Sequence, residues 1–264
     1  MIVGIDIGGT NTQGVLIERG NLKSTFSVAG NEPGHVIRCS KFLQNKAASK
    51  TVRLALTGGG ARKIKKSDLP VPFGVVDEIN AIGRGGVYLS GKLDVFVVSI
   101  GTGTAFVSVK HGKARHVGGT GVGGGTIYGL VRLMLKMPLS KVEEIAKTGK
   151  NLDLTVKDIM GRGIGKIPGN ATASNFGKAG GKCSKPAIAA SLLNMIAESI
   201  GVMAYFAARS VGQQHHILVC GRVAMNGVVK NRITETIKML GGDAGVPPKA
   251  EYCAAIGAAL SLKC

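Results

Sequence analysis

The sequence predicts an α/β protein of two related lobes, residues 1–93 and 94–264, with mixed sheets flanked by helices. Three observations predict it. An apolar run, Ile2 to Ile7, stops at Gly8-Gly9 and leads into a hairpin. The pattern returns once, where Asp94 to Ile100 breaks at Gly101-Thr102-Gly103-Thr104 and resumes as Ala105 to Val109. Most of the chain beyond Val109 has the apolar spacing of helices.

Taken in order, Ile2 to Ile7 reads as a buried strand, followed by strands near Gly14 to Glu18 and Leu22 to Val28 around the turn Arg19-Gly20-Asn21. A helix is predicted over His35 to Lys46. Thr51 to Leu56 then reads as a strand that ends in Thr57-Gly58-Gly59-Gly60. Val71 to Val76 is a short strand, and Glu78 to Leu89 a helix stopping near Gly91. The lobe boundary falls at Lys92 to Asp94. In the second lobe, helices are predicted over Thr126 to Leu135, Ser140 to Lys147, Ala187 to Val211, Asn226 to Leu240 and Ala254 to Leu262, with one strand from His216 to Cys220. The last helix is expected to cross back to the first lobe.

A chain of 264 residues, 44% hydrophobic and 19% charged, has the material for a sizeable core and lies outside the disordered class. Its 41 glycines are roughly twice the usual ~7% and cluster between apolar runs, as tight turns approaching a ligand would. Thirty-four basic against fifteen acidic residues leave a net charge of +19, which favours anionic partners. With 4% aromatics and no Trp, the chain offers little for stacking single strands, and no specific nucleic-acid partner is expected. Cys39, Cys183, Cys220, Cys253 and Cys264 include no C-x-x-C pair and read as reduced thiols of a cytoplasmic protein. Asn194, Glu198 and Arg209 interrupt the longest apolar helix, so no membrane partner is expected.

The chemistry concentrates in the glycine turns. Asp6 closes a buried strand just before Gly8, Gly9 and Thr10, where free backbone N–H groups could cradle phosphate oxygens and the carboxylate could hold Mg²⁺. Gly101 and Thr102 form a second such turn, with Thr102 and Thr104 offering hydroxyls to phosphate or substrate. Gly221, at the end of a strand and five residues before Asn226, supplies a third bend. Gly123-Gly124-Gly125 runs into a helix whose N-terminus would attract phosphate, unless the glycines serve close packing. The pairs Lys65-Lys66 and His215-His216 read as a surface charge run and the lead-in to a strand.

The two facing turns, with Val219 to Asn226 as an adenosine loop, resemble the acetate and sugar kinase, heat-shock chaperone and actin superfamily. That resemblance implies a duplicated ribonuclease H-like, actin/hexokinase-like ATPase fold. Arg115 to Leu130 and Ile167 to Gly177 more specifically resemble the signatures of type II pantothenate kinases. This resemblance implies ATP and Mg²⁺ as cofactors, pantothenate as acceptor, a homodimer and acyl-CoA regulation. It also implies Glu78 as general base, with Asp77 as its rival, and Thr102 and Thr104 as pantothenate contacts. The family places Arg directly before Val-Gly-Gly, where this chain has His116. Either Arg115 reaches the phosphate through a bulge, or His116 takes a weaker form of that role. The family's Lys after the first turn is Gln13 here. An amino-sugar kinase and an electron-transfer activator ATPase on the same fold are the competing readings. The first lacks a zinc-binding Cys/His cluster and the second its central cluster cysteines.

Overall fold

The computed structural model describes residues 1–47, 53–69, 71–165 and 167–262. The predicted start of the fourth strand at Thr51, and Cys264, lie outside them. The first sheet runs β3-β2-β1-β4-β5, formed by β1 (Ile2–Ile7), β2 (Asn11–Glu18), β3 (Asn21–Ala29), β4 (Arg53–Thr57) and β5 (Phe73–Val75). In the second, β6 (Val95–Ile100), β7 (Thr104–Lys110), β8 (Lys113–Thr120), β11 (Ile217–Cys220) and β12 (Ala244–Gly245) run β12-β11-β6-β7-β8. Strand for strand the two orders correspond. β1 and β6 are each antiparallel to the next strand in the chain and parallel to the later one on the other side. The duplication suggested by two glycine turns is therefore a duplication of topology.

Helices cover both sheets. In the first lobe α1 (Pro33–Gln44) packs on one face, where Val36, Cys39 and Leu43 join Val3, Ile5, Leu54 and Leu56 in a buried core. The other face is covered by the last helix, α8 (Cys253–Ser261), as expected. Less expected is α2 (Glu78–Ser90), which precedes the second sheet in sequence and packs against β6, β7 and β8. Thus α2 and α8 meet between the lobes. A Cβ on Gly257 would collide with the Ala81 carbonyl, and one on Gly85 with the Cys253 carbonyl. These glycines let the helices cross backbone against backbone.

The far face of the second sheet carries the largest core, built on α6 (Lys185–Ser210) and α7 (Gly227–Met239). By length and composition α6 could cross a membrane, but Leu192, Leu193, Ile196 and Ile200 are fully buried in that core. The predicted helix at Thr126 to Leu135 is α3 (Gly124–Leu130) followed by a π turn over Val131–Leu135. Ser140 to Lys147 becomes α4 (Val142–Thr148). Between α4 and α6 the helical reading misses an arm of β9 (Leu154–Thr155), α5 (Val156–Met160) and β10 (Thr172–Ser174). Two- and three-residue strands leave no periodic signal. Tertiary hydrogen bonds hold the arm instead: buried Asp153 accepts from Asn194 Nδ2 at 2.6 Å and from the Phe176 N–H at 2.7 Å.

Candidate active site

The three glycine bends converge where β1, β6 and β11 end. A Cβ on Gly9 would lie 2.5 Å from Thr102 Oγ1, so the first and second turns touch. Gly221 adopts φ +93°, and a Cβ there would collide with the Ile100 carbonyl, so the third bend passes directly over the end of β6. Arg222 NH1 then reaches Asn11 Oδ1 at 2.7 Å, tying the third bend to the first.

In the first turn the Gly8 N–H is taken, against its expected phosphate role, while the next two donors are free. The Gly8 N–H donates to Asn11 O at 2.9 Å, and Asn31 Nδ2 donates to Gly9 O at 2.9 Å. Gly30 N–H donates to Thr10 O at 2.9 Å. The N–H groups of Gly9 and Thr10 have no partner among the described residues, and the same holds for Thr102 and Gly103 in the second turn. Unpartnered N–H groups on facing turns suit an anion with several oxygens.

The Gly123–Gly125 stretch does something else. Gly124 N–H donates to Gly101 O at 2.9 Å and Gly125 N–H to Thr102 O at 2.8 Å, while Gly123 N–H is bonded to Thr126 Oγ1 at 3.2 Å. Cβ atoms at all three would press on the second turn. Close packing, not phosphate binding, is what these glycines permit, and they act on the site by holding Gly101 and Thr102 in place. Thr104 is corrected likewise. It is buried, and its hydroxyl donates to Val122 O at 2.8 Å, leaving the exposed Thr102 as the turn's available hydroxyl. Asn226 caps α7, accepting from the Val229 N–H at 3.1 Å, and Glu143 accepts from Gly227 N–H at 3.0 Å beside it. Asn226→Ala is therefore expected to cost about 1 kcal/mol of stability, read by denaturant titration, with the KM for nucleotide unchanged.

Asp6 is partly buried at the end of β1, and its carboxyl accepts no hydrogen bond among the described residues. Burial, and next the charge of Glu78, push its pKa up to about 7. Thr57, its cross-strand partner on β4, is fully buried with an unpartnered Oγ1. Beside it Gly58, at φ +84°, leaves room that a Cβ would take from the Asp6 carboxylate. An ionisable carboxylate beside an orphaned hydroxyl and a glycine that puts no side chain against it fits a divalent cation.

Glu78 is the first residue of α2. Its rival Asp77 is the cap, accepting from the Asn80 N–H at 3.0 Å, so Glu78 is the carboxylate left free. The residue as a whole is exposed, yet its carboxyl lies above the usual range, raised first by lost hydration and then by Asp77. The nearby Arg62 guanidinium works in the opposite direction.

The expected role of Arg115 is not supported. A bulge does interrupt β8, but at Val117, since Phe106 pairs with Gly118 and Val107 with His116. Arg115 stays opposite Ser108, whose hydroxyl bonds Gln213 on the α6 side. His116 stays opposite Val107, which packs with Ile82 of α2. Paired strand residues share a face, so His116 and not Arg115 stands on the side of Glu78. Sequence reading also missed Arg62 and Arg222, whose places depend on contacts with distant segments.

The Fumble family model matches residues 90–261. A type II pantothenate kinase of Bacillus anthracis is 30% identical over 249 residues, covering 89% of this chain and 88% of its own length. Another, of Oceanobacillus iheyensis, is 30% identical over 271 residues, covering 98% of each. Among solved structures, the activator of the 2-hydroxyisocaproyl-CoA dehydratase from Clostridium difficile with bound ADPNP superposes with a TM-score of 0.71 at 16% identity, covering 98% of this chain and 92% of that one. A ROK family glucokinase from Streptomyces griseus in complex with glucose and AMPPNP reaches 0.63 at 14% identity, covering 98% and 97%. At such identities the two structures establish the actin/hexokinase-like fold and nothing narrower.

Proposed function

The chain belongs to the Fumble family of type II pantothenate kinases, and on that premise we propose that Asp6 holds the magnesium of MgATP while Glu78 takes the proton of the acceptor hydroxyl. The reaction is the ATP-dependent phosphorylation of pantothenate, the first step of coenzyme A biosynthesis. The carrying observation is the convergence of the Asp6, Gly101 and Gly221 segments at one place, with Glu78 close enough to Asp6 to raise its pKa.

When bound, Mg²⁺ would neutralise charge on the β- and γ-phosphates. The free N–H groups of Gly9, Thr10, Thr102 and Gly103 receive the phosphate oxygens. Thr102 contributes its exposed hydroxyl. Glu78, whose pKa burial raises, accepts a proton from a primary alcohol as the oxygen attacks the γ-phosphorus. His116 takes the β8 position on that side of the site.

An ADP-release assay with pantothenate, run against glucose and amino sugars, tests the acceptor. Pantothenate alone is expected to raise ADP release above the background without acceptor. No turnover with pantothenate, or equal turnover with a sugar, would overturn the assignment.

A further inference from the structure

The first turn lies on a strand face that carries a carboxylate and no compensating charge. Asp6, Gln13 and Ser27 are cross-strand partners in one row of β1, β2 and β3, and Asn11 shares the face two residues before Gln13. This is the face turned toward α8 and the second lobe, because Val15, next along it, packs on Ala255 and Ile256. Near the turn its side chains are acidic or neutral. A triphosphate seated on the free N–H groups of Gly9 and Thr10 would meet Asp6 and no cation from this strand face.

Arg222 fills that gap from the other lobe. The left-handed bend at Gly221 sends it toward the first sheet, where NH1 contacts Asn11 Oδ1 at 2.7 Å and Ser27 Oγ at 3.5 Å. Both acceptors are neutral. No carboxylate pairs with Arg222 among the described residues, and only one of its three guanidinium nitrogens is engaged. Bonding two neutral oxygens does not require a full positive charge, whereas a polyphosphate does reward one. The geometry points to Arg222 as a nucleotide-binding residue, its guanidinium contacting the phosphate chain where it rests on the first turn. This inference rests on the cleft being the nucleotide site of the proposed kinase. It adds that the cation on the Asp6–Gln13–Ser27 row is delivered in trans by the second lobe, so that nucleotide draws the lobes together.

Arg222→Gln keeps a donor for Asn11 and removes the charge. Calorimetric titration with a non-hydrolysable ATP analogue and with adenosine is expected to show about a tenfold to hundredfold loss for the analogue and unchanged adenosine affinity. Asn11→Ala removes the strap and keeps the charge, and is expected to bind the analogue more tightly than Arg222→Gln does. The inference is overturned if Arg222→Gln binds the analogue as the wild type does, if both ligands weaken alike, or if Asn11→Ala loses as much as Arg222→Gln. A wild-type protein that binds neither ligand would instead remove the nucleotide reading beneath it.

Discussion

Asp6→Asn is expected to abolish measurable turnover while making the metal-free protein more stable. Neutralising phosphate charge through a bound cation supplies several kcal/mol to a phosphoryl transfer, so loss of its carboxylate ligand should lower kcat by about 10³-fold or more. Stability moves the other way. The folded-state pKa of about 7 stands above the ordinary 3.8, so the folded protein binds the proton more tightly than the unfolded chain. Ionised Asp6 therefore destabilises the fold, with a cost that begins as pH rises past 3.8 and is complete above about 7. Allowing for the water that reaches a partly buried carboxyl, removing that cost is worth on the order of 2 kcal/mol at pH 8, or several degrees of Tm. Thermal melts at pH 5 and pH 8 in EDTA check it. The variant should gain at pH 8 and much less at pH 5. In the wild type, Mg²⁺ must displace a proton, so its affinity should fall about tenfold per pH unit below pH 7. A pH-independent metal affinity would show that Asp6 is not the ligand.

Glu78→Gln is expected to lower kcat about 10²- to 10⁴-fold with little change in the KM for pantothenate, because the shape is kept and only proton acceptance is lost. The matched control is Asp77→Asn. Asp77 is the α2 cap, so this change should cost stability, up to about 1 kcal/mol, and leave kcat within a few-fold. Activity governed by Glu78 should fall on the acid side at a pH above the usual carboxylate range. Arg62 favours the ionised form, so Arg62→Ala should move that limb upward. Wild-type turnover in Glu78→Gln would show that another group takes the proton.

The strands, their glycine stops and Asp6 were legible because each rests on neighbours in the chain: apolar alternation, turn residues, a carboxylate before a bend. Glu78 came from a family resemblance, and what the structure adds is that its rival Asp77 caps α2. The wrong readings share one cause. Gly8, Gly101, Gly123, Gly124, Gly125, Gly221, Thr104 and Asn226 were all given ligand roles from their residue type, yet each has its N–H or side-chain polar group bonded to protein. Whether an N–H or hydroxyl is free depends on what the rest of the chain brings beside it.

The sequence by itself determined the repeated strand–turn unit, the glycine bends that end its strands and the family to which these belong, since all are written in short-range patterns of residue type. Only the tertiary structure decided that α2 and α8 cross between the lobes, that His116 and not Arg115 lies on the sheet face covered by α2, and that Arg222 reaches Asn11. The physical reason is that the register of a bulged strand and the partner of a side chain 211 positions away are fixed by packing and hydrogen-bond satisfaction across the whole fold.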